Sequence, residues 1–346
     1  MSAEQTQGPV FNTQSKKIAQ LGLVVKDAAR TAKRYAAIFG VGPWHFFELD
    51  PTDVTLHGRP VADGATKVRI ALANLGDLQI ELLEPMAGPS TYMEFLEAHG
   101  EGAHHLSFGL ADDHDALVES MKSSGFGVEM QGLLGGAYTF TYFETQKELG
   151  TIFEIVSPAR PGVEGRFVPW GVYEPPGPGR VALGDKKIVQ VGIVVENAER
   201  AARRYHEVFG IGPWFVIDFK PPHVAEGELY GVRVRGSEFH VRAATAHLGP
   251  LQFELLEPVS GPSTHMDFLI RHGQGIHHVS FGPAPDHDDM LAGFKDLGIE
   301  VESTGLLGGA GTFTYMATQK DLGTIFEMVK VRPGVKSTVV PSGRIP

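Results

Sequence analysis

Four polar residues stand in segments that otherwise read as buried strand: Gln20, Glu81, His105 and Glu154. Glu154 lies in TIFEIV, flanked by Ile152, Phe153, Ile155 and Val156, and Glu81 lies in LQIELLEP. A carboxylate among apolar side chains is costly to bury unless something compensates its charge. Two carboxylates, one imidazole and one amide, each arriving from a different strand, make an oxygen-rich divalent metal site. Each residue alone has a plainer explanation, a glutamate at a sheet edge or a histidine satisfied in a core. Recurrence shifts the balance. Gln190, Glu254, His278 and Glu327 form a second quartet, offset from the first by 170 residues at the glutamine and 173 at the other three.

The quartets recur because the chain is written twice. Glu81–Gly109 returns at Glu254–Gly282 with 20 of 29 positions identical, and Gln131–Val156 returns at Thr304–Val329 with 20 of 26 identical. A three-residue insertion between Gln190 and Glu254 accounts for the smaller first offset. The two copies serve as an internal comparison that separates retained polar residues from drifted ones.

Each copy must then supply strands to carry its quartet. Ile18–Val25 reads as a buried strand. Asp27 can cap a following helix whose stripe is Ala28, Ala32, Tyr35, Ala36 and Phe39. Strands are expected at Trp44–Leu49, Lys67–Asn74 and Leu78–Leu83. Gly88-Pro89 then opens a short helix, with proline at its first position. The pattern repeats with His104–Gly109, a helix from Asp113, and strands near Val128–Gln131, Tyr138–Phe143 and Thr151–Val156. Three successive strands without crossovers favour antiparallel pairing. The expected fold class is α+β, with four βαβββ modules in two tandem domains. The boundaries are a flexible tail at 1–16, a first domain at 17–157 (modules 18–86 and 103–157), a Pro/Gly linker at 158–186, a second domain at 187–330 (modules 188–259 and 276–330) and a tail at 331–346. Phe167, Trp170 and Tyr173 suggest that the linker packs on something.

Composition bounds the function. The chain has 346 residues, 42% of them hydrophobic, enough for two ordinary cores. A net charge of −11 with no long basic run argues against nucleic-acid binding. The absence of cysteine removes disulfides, thiolate ligands and cysteine nucleophiles. The polar N-terminus and the lack of an 18-residue apolar run lead to the expectation of a soluble cytoplasmic protein without membrane contact. The expected partner is a small-molecule substrate, and the expected state is monomer or homodimer. Among the other paired polar residues, His104 and His277 should face away from their neighbours in the strand. His114 and His287 should be solvated near a helix start, and GLLGGA should be a tight turn or a ligand-hugging loop. Glu48, Tyr138, Tyr142 and Tyr315 are the candidate substrate-pocket residues. The copies differ around their quartets: Tyr138 faces Gly311, Tyr92 faces His265 and Glu144 faces Ala317.

In IELLEP, FLEAHGEGxHHLSF and the closing LGTIFE, the chain resembles the vicinal oxygen chelate superfamily, which includes glyoxalase I and methylmalonyl-CoA epimerase. The resemblance covers both copies. It implies paired βαβββ modules curled into a cup, with His105/His278, Glu81/Glu254 and Glu154/Glu327 as metal ligands. Gln20 and Gln190 stand where many members have a first-strand histidine. The set is similar to that of eukaryotic-type glyoxalase I, but the glutathione-binding arginine and asparagine of that enzyme are replaced by Val24 or Val194 and by Pro85 or Pro258. The implied function is a metal-dependent isomerase, epimerase or lyase. It would act on a small carbonyl compound through a metal-stabilised enediolate, with Glu154 or Glu327 as the base and zinc as first choice of metal before cobalt, nickel or manganese. The alternatives are an extradiol-type dioxygenase and a non-catalytic binding or resistance protein. The sequence leaves open whether each quartet forms within one copy or whether Gln20 and Glu81 join His278 and Glu327.

Overall fold

The computed structural model describes residues 11, 16–163, 165, 167–234 and 239–346. In the first copy the order is β1 (Gln20–Val24), α1 (Ala28–Phe39), β2 (Trp44–Leu49), β3 (Thr52–Leu56), β4 (Arg59–Pro60), β5 (Lys67–Leu75) and β6 (Leu78–Ala87). Then come α2 (Thr91–His99), β7 (Gly102–Leu110), α3 (His114–Ser123), β8 (Val128–Leu134), β9 (Tyr138–Phe143), α4 (Gln146–Leu149), β10 (Ile152–Val156) and β11 (Gly171–Tyr173). The second copy opens with β12 (Gln190–Val194), α5 (Ala198–Phe209), β13 (Trp214–Phe219), β14 (Val224–Leu229), β15 (Val232–Arg233), β16 (His240–Leu248) and β17 (Leu251–Ser260). It closes with α6 (Thr264–His272), β18 (Gly275–Pro283), α7 (His287–Asp296), β19 (Val301–Leu307), β20 (Gly311–Met316), α8 (Gln319–Leu322), β21 (Ile325–Val331) and β22 (Gly343–Ile345).

The helix caps follow the local sequence. Asp27 accepts a hydrogen bond from Arg30 N, and Gly40 ends α1 in the left-handed conformation. The α1 stripe expected from the sequence is buried. At α2 the expectation fails by two positions. Ser90 is the N-cap and accepts from Met93 N, so Pro89 precedes the cap instead of opening the helix. A side chain that can accept a hydrogen bond takes the cap position, and proline cannot supply one.

Each copy builds one sheet of eleven strands, the first in the order β11-β2-β5-β6-β1-β7-β10-β9-β8-β3-β4. β1 pairs parallel with β6 and β7 with β10, while β2-β5-β6 and β8-β9-β10 run antiparallel. The α+β class and the four modules are therefore as expected. The β3–β4 hairpin, which the sequence reading missed, explains the curvature. β3 begins three residues after β2 ends, yet it pairs with β8 near the opposite end of the strand order. A short connection can join those ends only if the sheet curls into a cup. The segments at 158–186 and 331–346 also contribute strands: β11 pairs with β2, and β22 pairs with β13. Most of the expected tail at 1–16 lies outside the described residues, but Phe11 is buried against Phe108 and Phe209.

The two cups share their backs. Leu21, Leu23, Leu82, Leu106, Phe153 and Ile155 face the convex side of the first sheet, in one apolar cluster with residues of both copies. α1 reaches across: Phe39 packs on Phe281, Phe294 and Phe326, and Tyr35 donates its hydroxyl proton to Leu322 O at 3.0 Å. α5 does the same in return through Phe209 on Phe153 and Tyr205 on Leu149 O at 2.8 Å. Each such aromatic contributes about 1.5–3 kcal/mol by burial. Because the core is common, the copies should unfold together. Phe39→Ala is expected to cost about 3–5 kcal/mol. It should lower the denaturation midpoints reported by Trp44 and by Trp214 equally, each read in a protein where it is the sole tryptophan. Two separated midpoints would contradict the shared core.

Candidate metal centre

The alternation that buries Leu82, Leu106 and Phe153 on the back of the sheet turns Glu81, His105 and Glu154 into the cup. β6, β7 and β10 bring them together at its floor, with His105 Nε2 at 3.4 Å from Glu81 Oε2 and 3.6 Å from Glu154 Oε2. In the second cup, His278 Nε2 lies 3.6 Å from Glu254 Oε2 and 3.8 Å from Glu327 Oε2. Each trio thus forms within one copy. The imidazoles are fully buried, and none of the four carboxylates exceeds 8% exposure. Burial raises Glu81 and Glu254 to about 8, holds Glu154 and Glu327 above the usual carboxylate range, and lowers His105 and His278.

A hydrogen-bond chain behind each imidazole fixes its protonation. Thr91 Oγ1 donates to the Glu129 carboxylate, His104 Nε2 lies 3.1 Å from Thr91 Oγ1, and His104 Nδ1 lies 3.1 Å from His105 Nδ1. An ionised Glu129 only accepts, so Thr91 must donate to it and accept from His104 Nε2–H. Burial lowers both histidines, so each is neutral with one N–H. His104 Nδ1 must then accept from His105 Nδ1–H. That leaves His105 Nε2 as a bare lone pair aimed at Glu81 and Glu154. The second cup repeats the chain through Glu302, Thr264 and His277 to His278.

Each imidazole–carboxylate pair has about the spacing of two donors to one divalent ion. His105 Nε2, Glu81 Oε2 and His278 Nε2 are buried without a hydrogen-bond partner among the described residues. Donors bound at ~2.1 Å with tetrahedral angles sit ~3.4 Å apart, close to the His105–Glu81 and His105–Glu154 spacings. Among the described residues, however, the three-residue group with mutually close ligand atoms is His265, His277 and His278, and not either Glu–His–Glu trio. The ligating nitrogen of a metal-bound histidine needs its other N–H engaged, and the chain supplies that.

Two features of the floor escaped the sequence reading. His104 does not face away from His105. The β1–β7 register sets Gly22 against His105 and Leu23 against Ala103, so His104 is the extra residue of a β-bulge and turns toward its neighbour. Gly22 is level with both Glu81 and His105. A Cβ there would lie 1.9 Å from His105 Cε1, and at Gly192 one would lie 2.0 Å from His278 Cε1. The imidazole lies flat on bare backbone, so no side chain can enter at that rung. A glycine inside a buried strand, present in both IAQLGLVV and IVQVGIVV, was the legible signal.

The other candidates divide. Gln20 and Gln190 lie on the cup face one rung from Gly22 and Gly192, and their amide nitrogens donate to Gln79 and Gln252 at 2.8 Å. Only an amide oxygen is left to ligate. Tyr142 stacks edge-on to His105 at 4.9 Å, accepts from Tyr92 OH at 2.9 Å and bonds the Glu154 carboxyl. Tyr315 lies 4.8 Å from His278 and bonds Glu327. Tyr138 sits at the cup mouth, 5.3 Å from the Phe167 ring. Glu48 is placed elsewhere: it pairs with Arg69 at 2.7 Å on the face opposite Phe47 and Leu49, because strand alternation turns it out of the cup. His114 is not solvated either. It is buried, with Nε2 3.0 Å from Thr141 Oγ1 and Nδ1 2.9 Å from Asp115.

The cups differ in filling. Ile70, Tyr92, Met130 and Phe140 join the apolar cluster of the first cup. At the matching positions the second cup has Ala243, His265, Ser303 and Phe313. It holds a cavity of about 50 Å³ lined by Glu254, His265, Tyr315 and Glu327. A larger one of about 350 Å³, sharing Val224, Phe239 and Phe313, lies beside it.

Comparison with known proteins agrees with this architecture. Residues 19–143 and 189–316 match the family model described as the glyoxalase/bleomycin resistance protein/dioxygenase superfamily. A curated relative, the uncharacterized protein YqjC of Bacillus subtilis (strain 168), is 32% identical over 69 residues, 17% of this chain; the match spans 49% of that relative's length. A mutant of 4-hydroxymandelate synthase from Streptomyces coelicolor superposes with a TM-score of 0.59 at 15% identity, covering 93% of this chain and 94% of the other, and so shares the fold. The Mn(II)-bound glyoxalase from Novosphingobium aromaticivorans gives a TM-score of 0.47 at 16% identity, over 91% of this chain and 82% of the other. With both repeats matched and each forming a curled eight-strand cup with edge additions, the chain belongs to the glyoxalase/bleomycin resistance protein/dioxygenase superfamily, the vicinal oxygen chelate fold, in tandem duplicated form.

Proposed function

We propose that this protein is a divalent-metal-dependent isomerase, epimerase or lyase acting on a small carbonyl compound. Glu81, His105 and Glu154 would hold one ion, and Glu254, His278 and Glu327 a second. Gln20 and Gln190 would offer amide oxygens from the adjoining rung. Zinc is the first choice of metal, with cobalt, nickel and manganese as alternatives. The observation that carries the reading is the Glu129–Thr91–His104 chain, which leaves His105 Nε2 unprotonated and facing two buried carboxylates.

A bound divalent ion supplies a Lewis acid that polarises a carbonyl oxygen. The chain's own residues supply the rest. Glu154 and Glu327 are the proposed bases, each able to take a proton α to the carbonyl at a carboxylate oxygen and return it. Tyr142 and Tyr315 hold those carboxyl groups by hydrogen bonds. Apolar walls such as Val68, Leu83 and Ile152 in the first cup, and Val241 and Leu256 in the second, exclude water from the floor. No helix among the described residues is long and apolar enough to cross a membrane.

One observation favours a second reading at the second cup alone. His265 lines the cavity beside Glu254 and Glu327, and two imidazoles with a carboxylate are the ligands of non-haem iron oxygenases. Catechol-dependent oxygen uptake with added ferrous iron would distinguish it.

Metal analysis of the purified protein is expected to find between one and two divalent ions per chain; well under one would sink the proposal. Glu154→Gln and Glu327→Gln should each slow exchange of α-protons with deuterated solvent, followed by NMR over a panel of 2-oxo and 2-hydroxy carbonyl compounds. The expected loss is about 10²–10⁴-fold at the affected site. Thr91→Val should weaken metal binding in the first cup about 10–100-fold, because His105 loses its fixed tautomer.

Stability of the metal-free protein should depend on pH in a defined sense. Glu81 and Glu254 have folded values raised to about 8, so the folded state holds protons that the unfolded state releases above its ordinary range. Their contribution is complete at low pH and is lost as pH rises toward 8. The lowered histidines act oppositely, but only below about 6.5. Between about pH 6.5 and 8 the metal-free protein should therefore lose stability, and saturating zinc should abolish the loss. A thermal-shift series with and without chelator reads both.

A further inference from the structure

The two cups present different donor sets, and the difference lies in a residue on a connecting helix. In the first cup, Tyr92 of α2 reaches over the floor and donates its hydroxyl proton to Tyr142 at 2.9 Å. The matching residue of α6 is His265. It is buried, at 6% exposure, and neither ring nitrogen has a hydrogen-bond partner among the described residues. Its ring lies 5.5 Å from that of Tyr315, and it lines the same small cavity as Glu254 and Glu327.

One ligand atom each from His265, His277 and His278 lie within 4.8 Å of one another. His277 cannot ligate, since Thr264 and His278 engage its two nitrogens. That leaves His265, whose ring centre lies 6.4 Å from that of His278 and which lines the cavity with Glu254 and Glu327, as the second imidazole available beside the floor.

We propose that His265 is a further metal ligand of the second cup, so that this chain carries one oxygen-rich and one nitrogen-rich centre selecting different divalent ions. The proposal rests on the metal-binding reading above. The first cup offers one nitrogen with carboxylate and amide oxygens, a set suited to manganese or magnesium as well as zinc. The second offers two nitrogens with the same kinds of oxygen, two carboxylates and the Gln190 amide, a set that favours zinc, cobalt, nickel or copper over manganese more than the first does. The tyrosine at the same helix position in the first cup offers no nitrogen, and its hydroxyl proton is donated to Tyr142.

The test uses the full chain with one cup silenced at a time. His105→Ala with Glu154→Gln leaves the second cup, and His278→Ala with Glu327→Gln leaves the first. Each protein is titrated with zinc and manganese against a chelator, and loaded with Cu(II) for electron paramagnetic resonance, which counts coordinated nitrogens. The second cup should favour zinc over manganese at least about tenfold more than the first does, and should show two nitrogens where the first shows one. His265→Tyr in the second-cup protein should reduce zinc affinity at least about tenfold, leave manganese nearly unchanged and remove one nitrogen from the spectrum. Tyr92→His in the first-cup protein should move zinc selectivity the opposite way, and it decides the matter if His265→Tyr does not fold. Equal selectivity in both cups, with the spectrum insensitive to His265, overturns this proposal and leaves the metal reading intact. Absence of metal from both cups overturns the two together.

Discussion

The central strands of each sheet are buried on both faces, and the rest of the structure answers to that constraint. Their backs meet the other copy, so half of their side chains must be apolar. Their fronts line a cup whose walls are also apolar, so any ionisable group at its floor is cut off from water. Glu81, His105 and Glu154 sit there nonetheless. Groups so placed are tolerated only when neighbours fix their protonation and charge. The buried chain from Glu129 through Thr91 and His104 does the first, and a divalent ion would do the second.

Precision at the floor comes from backbone as much as from side chains. The bulge on β7 aligns two consecutive histidines nitrogen to nitrogen, which a regular strand would point to opposite faces. Gly22 lets the His105 ring lie against the β1 backbone. Thr91 belongs to α2, whose Ser90 cap fixes where the helix begins and hence where the hydroxyl lies. A helix cap, a bulge and a glycine thus set one imidazole. The same three devices recur around His278.

Much of this was legible in the sequence for a physical reason. Strands buried on both faces read as continuous apolar runs, so Glu81 and Glu154 stood out against them, and the duplication marked His105. What stayed hidden depends on distant pairing. The β3–β4 hairpin is short and polar, and only its partner β8 makes it a strand. β11 and β22 lie in Pro/Gly-rich segments whose composition reads as linker or tail. The bulge at His104 inverts an alternation that local sequence can only presume. Glu129 and Thr91 look like ordinary surface polar residues until the fold sets them against His104. Glu48 went the other way, because a plausible acid turned out to sit on the wrong face of β2.

The shared back also bears on how such a duplicated chain can vary. A residue on the convex side is answerable to two neighbourhoods at once, since it packs on both copies. Tyr35 and Tyr205, Phe39 and Phe209, Phe108 and Phe281, and Phe153 and Phe326 are identical pairs, and all lie in that common layer. A residue on the concave side is answerable to one cup only. There Ile70 has become Ala243, Met130 Ser303 and Tyr92 His265. The joint core holds the halves together as one fold and drifts by exchanging one large apolar side chain for another, as at Ile80/Phe253, Met121/Phe294 and Phe143/Met316, whereas each cup can change the chemistry of what it presents, as at Tyr92/His265.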